Sequence, residues 1–119
     1  MKHHNYYIYI STNPSKTTLY TGVTNDLDRR MDEHKDDAFG EKKTFAGKYY
    51  CYNLIYYEYF RNIEEAIERE KEIKNLTRKK KEDLISFFNP GWRFLNNEKE
   101  QQKGSLPVWD TEMEERKPW

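Results

Sequence analysis

From Tyr20 to His34 the chain reads YTGVTNDLDRRMDEH, and the hydrophobic period changes inside this stretch. Thr18 to Val23 is rich in β-branched and aromatic residues and predicts a strand. Gly22, near its end, marks a point where the backbone bends or is closely approached. Asn25 is a good helix N-cap, with Asp28 three residues on, where a negative charge suits the first turn. The helix so begun is predicted to run to about Lys35. Its apolar stripe holds Leu27 and Met31, and the same stripe carries Arg30 and His34. A charged group on a buried stripe needs a partner or a cleft. Two readings stay open: both side chains line a cleft, or the helix is half exposed and both reach water.

Outward from this stretch the elements follow in order. Tyr6 to Ile10 predicts a first strand, and the Asn13-Pro14-Ser15 turn pairs it with the second as a hairpin. Asp36 to Lys48 is polar, holds Gly40 and Gly47, and reads as a mobile loop. Tyr49 to Phe60 holds a third strand. Asn62 with Glu65 forms a capping box for a helix to Asn75, and Thr77 caps another, which Asn89-Pro90-Gly91 stops. Trp92, Phe94 and Leu95 are expected to fold back on the core. The fold class is therefore α+β: a three-stranded, mainly antiparallel sheet flanked by about three helices, in the order β-β-α-β-α-α. One domain, 1–95, is expected, followed by a polar, flexible tail, 96–119, in which Trp109 and Trp119 stand out.

The second long helix breaks pattern as the first does. Ile63, Ala66, Ile67 and Ile73 form its expected apolar stripe, and Glu70 falls on it. A lone carboxylate there invites a ligand, a metal ion or a buried arginine, and a purely structural Arg30–Glu70 salt bridge is the plain alternative. Tyr9 and Tyr20, on neighbouring hairpin strands, can point into one cleft with Arg30, His34 and Glu70.

The formal net charge is zero, which argues against a strongly basic nucleic-acid binder, but the charge is uneven. Arg69 to Lys81 holds seven Lys or Arg against two Glu, whereas Glu98 to Trp119 holds six acids against four bases. No apolar run is long enough to cross a bilayer, and nothing resembles a signal peptide. Cys51 has no cysteine to pair with and lies in an apolar stretch, so a reduced core thiol and a cytoplasmic setting are expected.

Tyr7-Ile8-Tyr9, ten residues, then Tyr20-Thr21-Gly22 resembles the paired motif of GIY-YIG nucleases, and Arg30 stands ten positions after the second motif's Tyr, as in that family. His34 matches the family's His or Tyr one helical turn later, and Ala66 to Lys74 resembles its metal-binding helix. The resemblance spans roughly residues 5–95 and is strongest to small stand-alone bacterial members. It departs at Val23, where repair nucleases carry a Lys, and the family's late Asn has only Asn89 as a candidate.

The resemblance implies DNA phosphodiester hydrolysis with one Mg²⁺ or Mn²⁺ held by Glu70. It implies Tyr20, or Tyr9, as proton acceptor, Arg30 as phosphate clamp and His34 as proton relay. Arg69, Lys74, Arg78, Lys79, Lys80 and Lys81 are then expected on the DNA backbone, although a solvated helix start explains the run equally well. With no base-reading motif, branched or flapped DNA is the expected substrate. A non-catalytic nucleic-acid module and a protein-interaction domain are the alternatives.

Overall fold

A computed structural model describes residues 5–96. Its elements are β1 (Tyr6–Thr12), β2 (Leu19–Thr24), α1 (Leu27–Ala38), α2 (Phe45–Lys48), β3 (Asn53–Phe60), α3 (Ile63–Lys74) and α4 (Arg78–Phe88). The α+β expectation holds, with one short helix more than the sequence suggests. The sheet order is β2-β1-β3 and both pairings are antiparallel.

The alternation of the central strand sends side chains into two cores. Ile8 and Ile10 join Tyr56, Ala66, Ile73, Leu84 and Ile85 beneath α3 and α4. Tyr9 joins Leu27, Met31, Leu54, Tyr57 and Leu95 in the other cluster. With apolar neighbours on both faces, β1 is buried along most of its length, which is why it reads as a nearly continuous apolar-aromatic run. Across the β1–β3 ladder the register slips between Ile10 and Ser11: Ile10 faces Tyr56 but Ser11 faces Leu54, so Ile55 is the extra residue of a bulge.

Beyond α4 the chain folds back in part: Leu95 is buried and Trp92 packs against the first core, but Phe94 is exposed. Leu95 N–H donates to the Leu54 carbonyl at 2.7 Å, and the Asn96 side chain bonds both Leu54 N–H and the Tyr52 carbonyl. Asn96, read from sequence as the first tail residue, is thus tied to β3. The rest of that tail, with Trp109 and Trp119, lies outside the described residues.

Three local expectations change. Asp26, not Asn25, caps α1, its carboxylate accepting from Arg29 N–H. Asn25 instead holds Arg29 through its side-chain oxygen. Residues 36–48 are organised: α1 continues to Ala38, and the Asp37 carboxylate accepts from Lys43 N–H, Thr44 N–H and Thr44 Oγ1–H. Thr44 Oγ1 in turn accepts from Gly47 N–H and so caps α2. A Cβ on Gly47 would lie 1.9 Å from Asp37 Oδ2, so this close approach requires glycine. Finally, Ile63 and Ile67 are exposed, and the buried face of α3 is Ala66, Arg69 and Ile73.

Candidate active site

The hairpin register brings the site together. Tyr9 stands opposite Gly22 in the ladder, and its phenol lies across Gly22, where a Cβ would come within 2.5 Å of Tyr9 Oη. Gly22 adopts no positive φ, so its role is the close approach and not the bend. Through the space so left, Tyr9 Oη bonds His34 Nε2 at 2.8 Å. Both residues are almost fully buried, so His34 does not reach water as the plainer reading of α1 supposed.

Tyr20 completes the group from β2 and is half-buried. Its ring meets the His34 ring edge-on at 5.4 Å and lies 6.1 Å from that of Tyr9. On its other side it stacks on Phe45 of α2, 6.0 Å away at 24°. Arg30 is partly exposed, pairs with Glu33 at 2.8 Å and also reaches the Tyr9 phenol. A proton assignment consistent with these contacts has Arg30 donating to Tyr9 Oη while Tyr9 O–H donates to His34 Nε2.

The electrostatics follow from burial. Desolvation, then the neighbouring Tyr20, pushes the Tyr9 phenol well above its usual range. Desolvation, aided by the Arg30 charge, lowers His34 to about 4, so the imidazole is neutral at pH 7. Burial pulls against the charge on Arg30, yet its bonds to Glu33 and Tyr9 outweigh that and keep the guanidinium firmly protonated.

Glu70 arrives from α3. Its carboxylate is 17% exposed, pairs with Lys74 Nζ at 3.1 Å and acts electrostatically on the Tyr9 phenol. Arg30 and Glu70 therefore have separate partners, and the Arg30–Glu70 bridge is not formed. Glu70 suits a hard divalent cation that keeps most of its waters, since such an ion takes only one or two carboxylates. Among the described residues no cluster of three or more His, Cys, Asp or Glu offers a fuller protein cage.

Two sequence-predicted site residues are placed elsewhere. Arg69 is 5% exposed and grips the buried Glu58 carboxylate through Nε and Nη2, with Tyr56 O–H donating to the same carboxylate. Buried charges are paired in this way to offset desolvation, and an arginine so held cannot reach a phosphate. Asn89 caps α4, and its amide binds the Ile55 carbonyl, the Arg93 carbonyl and Arg93 N–H. That side chain is spent on the backbone and is not a metal ligand here.

The basic run is exposed but largely neutralised. Arg78 pairs with Glu82 and Lys79 with Asp83, as Lys74 does with Glu70, while Arg78 Nη1 also donates to the Thr17 carbonyl. Lys80 is exposed and Lys81 half-buried. Sequence reasoning missed Phe45 because it lay in an apparent loop. It also missed Glu33, although the Arg30–Glu33 spacing of three is a readable helical pair.

Comparison with known proteins now bears on the same residues. The family model of the GIY-YIG catalytic domain matches residues 5–83. The chain belongs to the GIY-YIG family. As a GIY-YIG domain it falls in a family of nucleases, whose members generally use divalent metal ions. It is 39% identical over 80 residues to a UPF0213 protein of Clostridium perfringens, covering 67% of this chain and 82% of that one. It is 38% identical over 79 residues to a UPF0213 protein of Haloquadratum walsbyi, covering 66% and 84%. A solution structure of the UPF0213 protein from Bacillus halodurans is similar over 70% of this chain and 84% of that one, at 33% identity and a TM-score of 0.42. No helix among the described residues is long and apolar enough to cross a membrane.

Proposed function

We propose that this GIY-YIG domain is a divalent-metal-dependent endonuclease that hydrolyses DNA phosphodiester bonds, directed by DNA structure and acting in repair or processing. The observation that carries the reading is the buried Tyr9–His34 bond, with the Arg30 guanidinium on the same phenol and Tyr20 beside it. A fully buried phenol bonded to a histidine and an arginine is more than core packing asks of a tyrosine.

Each residue then has a role set by its exposure. Arg30, partly exposed and firmly charged, binds a non-bridging oxygen of the scissile phosphate. Tyr20 is the phenol with access to solvent; its Oη accepts the proton of the attacking water as its own phenolic proton passes to solvent. Tyr9 and His34 are sealed from substrate and act as positioning residues: His34 orients the phenol, and the phenol orients Arg30. Glu70, once released by Lys74, would hold a Mg²⁺ or Mn²⁺ ion, which would supply Lewis-acid charge stabilisation to phosphodiester cleavage. Lys80, Lys81 and, when their acids yield, Lys74, Arg78 and Lys79 position the DNA backbone.

The test is incubation with flapped, branched and plain duplex DNA in Mg²⁺ or Mn²⁺. Wild type is expected to cut a branched or flapped substrate only with metal. Glu70→Ala and Arg30→Ala should both abolish cutting while leaving the fold intact, since each loses a partly exposed ion pair worth about 0–1 kcal/mol and the Tyr9 phenol that Arg30 also reaches keeps its bond to His34. Cutting that survives Glu70→Ala would remove Glu70 from the site. A wild type that cuts no substrate would overturn the reading.

A further inference from the structure

The segment between α1 and β3 presents four large rings to solvent: Phe39 is 68% exposed, Phe45 51%, Tyr49 42% and Tyr50 38%. Scattered exposed rings are ordinary, but these make two touching pairs, Phe45–Tyr49 at 4.7 Å and Phe39–Tyr50 at 6.0 Å. The first pair continues the run of touching rings that starts in the active site, His34–Tyr20–Phe45. The rings are also held in place. Tyr50 N–H bonds the Gly47 carbonyl and Cys51 N–H the Ala46 carbonyl, which is the Schellman arrangement. It puts Tyr50 at φ 61°, where glycine would be the low-strain residue, so the fold carries a bulky ring at a strained position.

Charge says what such a face would accept. Lys48 Nζ lies 5.8 Å from the centre of the Tyr49 ring and Lys42 Nζ 5.4 Å from that of Tyr50. Among the described residues neither lysine is in an ion pair, whereas Lys74, Arg78 and Lys79 of the basic run each have an acid partner. Two ammonium groups without an acid partner thus sit among the exposed rings. Alternating flat rings and cations suit unpaired nucleotides, whose bases stack on rings while their phosphates meet the cations. An intact duplex turns its bases inward and would use only the cations.

We propose that Phe45 and Tyr49, with Lys42 and Lys48, form a stacking platform for single-stranded DNA beside the cleft. The substrate is then DNA with an unpaired stretch adjoining the bond to be cut. This rests on the nuclease reading above and adds a substrate class to it.

Binding is measured by fluorescence anisotropy in EDTA, so that no cutting is required, with a short oligothymidylate and a blunt duplex as probes. Wild type should bind the oligothymidylate more tightly. Phe45→Ala/Tyr49→Ala should weaken that binding by about tenfold or more and leave the duplex unchanged. Phe45→Trp should restore it. Lys42→Ala/Lys48→Ala should reduce the salt dependence for both probes. Ring variants that bind oligothymidylate as wild type does overturn the platform, as would a face occupied by a partner protein. Such variants that still cut flaps normally overturn it and leave the nuclease reading standing. Ring-dependent binding by a wild type that cuts nothing supports the platform and overturns the nuclease reading.

Discussion

His34 shows how a single residue sets a pH range. Its folded value near 4 lies below the ordinary 6.5, so between these values the unfolded chain binds more protons than the folded one. Stability from this group is therefore complete above about pH 6.5 and is lost as pH falls towards 4. At about 1.4 kcal/mol per unit the loss approaches 3 kcal/mol. Urea unfolding of wild type and His34→Gln at intervals from pH 7.5 to 4 should show a steeper fall for wild type. Parallel curves would mean that His34 is not held neutral by the fold. Gly22 makes a second case. Gly22→Ala places a methyl group against Tyr9 Oη, so the phenol must move off His34. Overpacking of this kind costs about 1–3 kcal/mol. Cutting should fall with stability, and a variant that melts and cuts like wild type would refute the close approach.

Asp37 shows how an element can hang on one carboxylate. Its backbone bonds, from Thr44 first and then Lys43, hold the carboxyl below its usual range. A depressed carboxylate favours the fold above its unfolded value, and that contribution disappears as pH drops through the folded one. Asp37→Asn should remove amide-exchange protection at Lys43 and Thr44 while the β1–β3 amides stay protected; unchanged protection would mean the segment orders itself by other means. On α3 the lesson is about faces. Ile63 and Ile67 look like core residues, yet the sheet takes Ala66, Arg69 and Ile73. The face is chosen by Glu58 on β3, paired with Ile8 in the ladder, which draws Arg69 inward.

Across the described residues the cations are of two kinds: Arg69, buried for stability, and the others, at least partly exposed. Arg69→Ala leaves Glu58 buried and unpaired and should cost about 3–5 kcal/mol in urea unfolding. DNA affinity of the protein that remains folded should be unchanged. Lys80→Ala should do the reverse, leaving stability intact and lowering the slope of log affinity against log salt by about one. An Arg69→Ala protein as stable as wild type would refute the structural role.

Much of the architecture could be read before any coordinate was known, because short-range physics writes it into the chain. The first two strands, read as 6–10 and 18–23 and observed at 6–12 and 19–24, the caps at Asn62 and Thr77, and the stop at Asn89-Pro90 depend on residues close in sequence. The grouping of Tyr9, Tyr20, Arg30 and His34 was legible for the same reason: one hairpin and the helix after it carry all four. Tertiary structure decided what depends on partners far along the chain. Arg69 resembled any other cation of a basic run until Glu58, eleven residues away on another element, claimed it. Phe45 resembled a loop residue until Asp37 and Thr44 built the turn that sets it on Tyr20. Periodicity and capping are local, whereas the pairing of a buried charge and the stacking of a ring are settled by which surfaces meet when the chain closes.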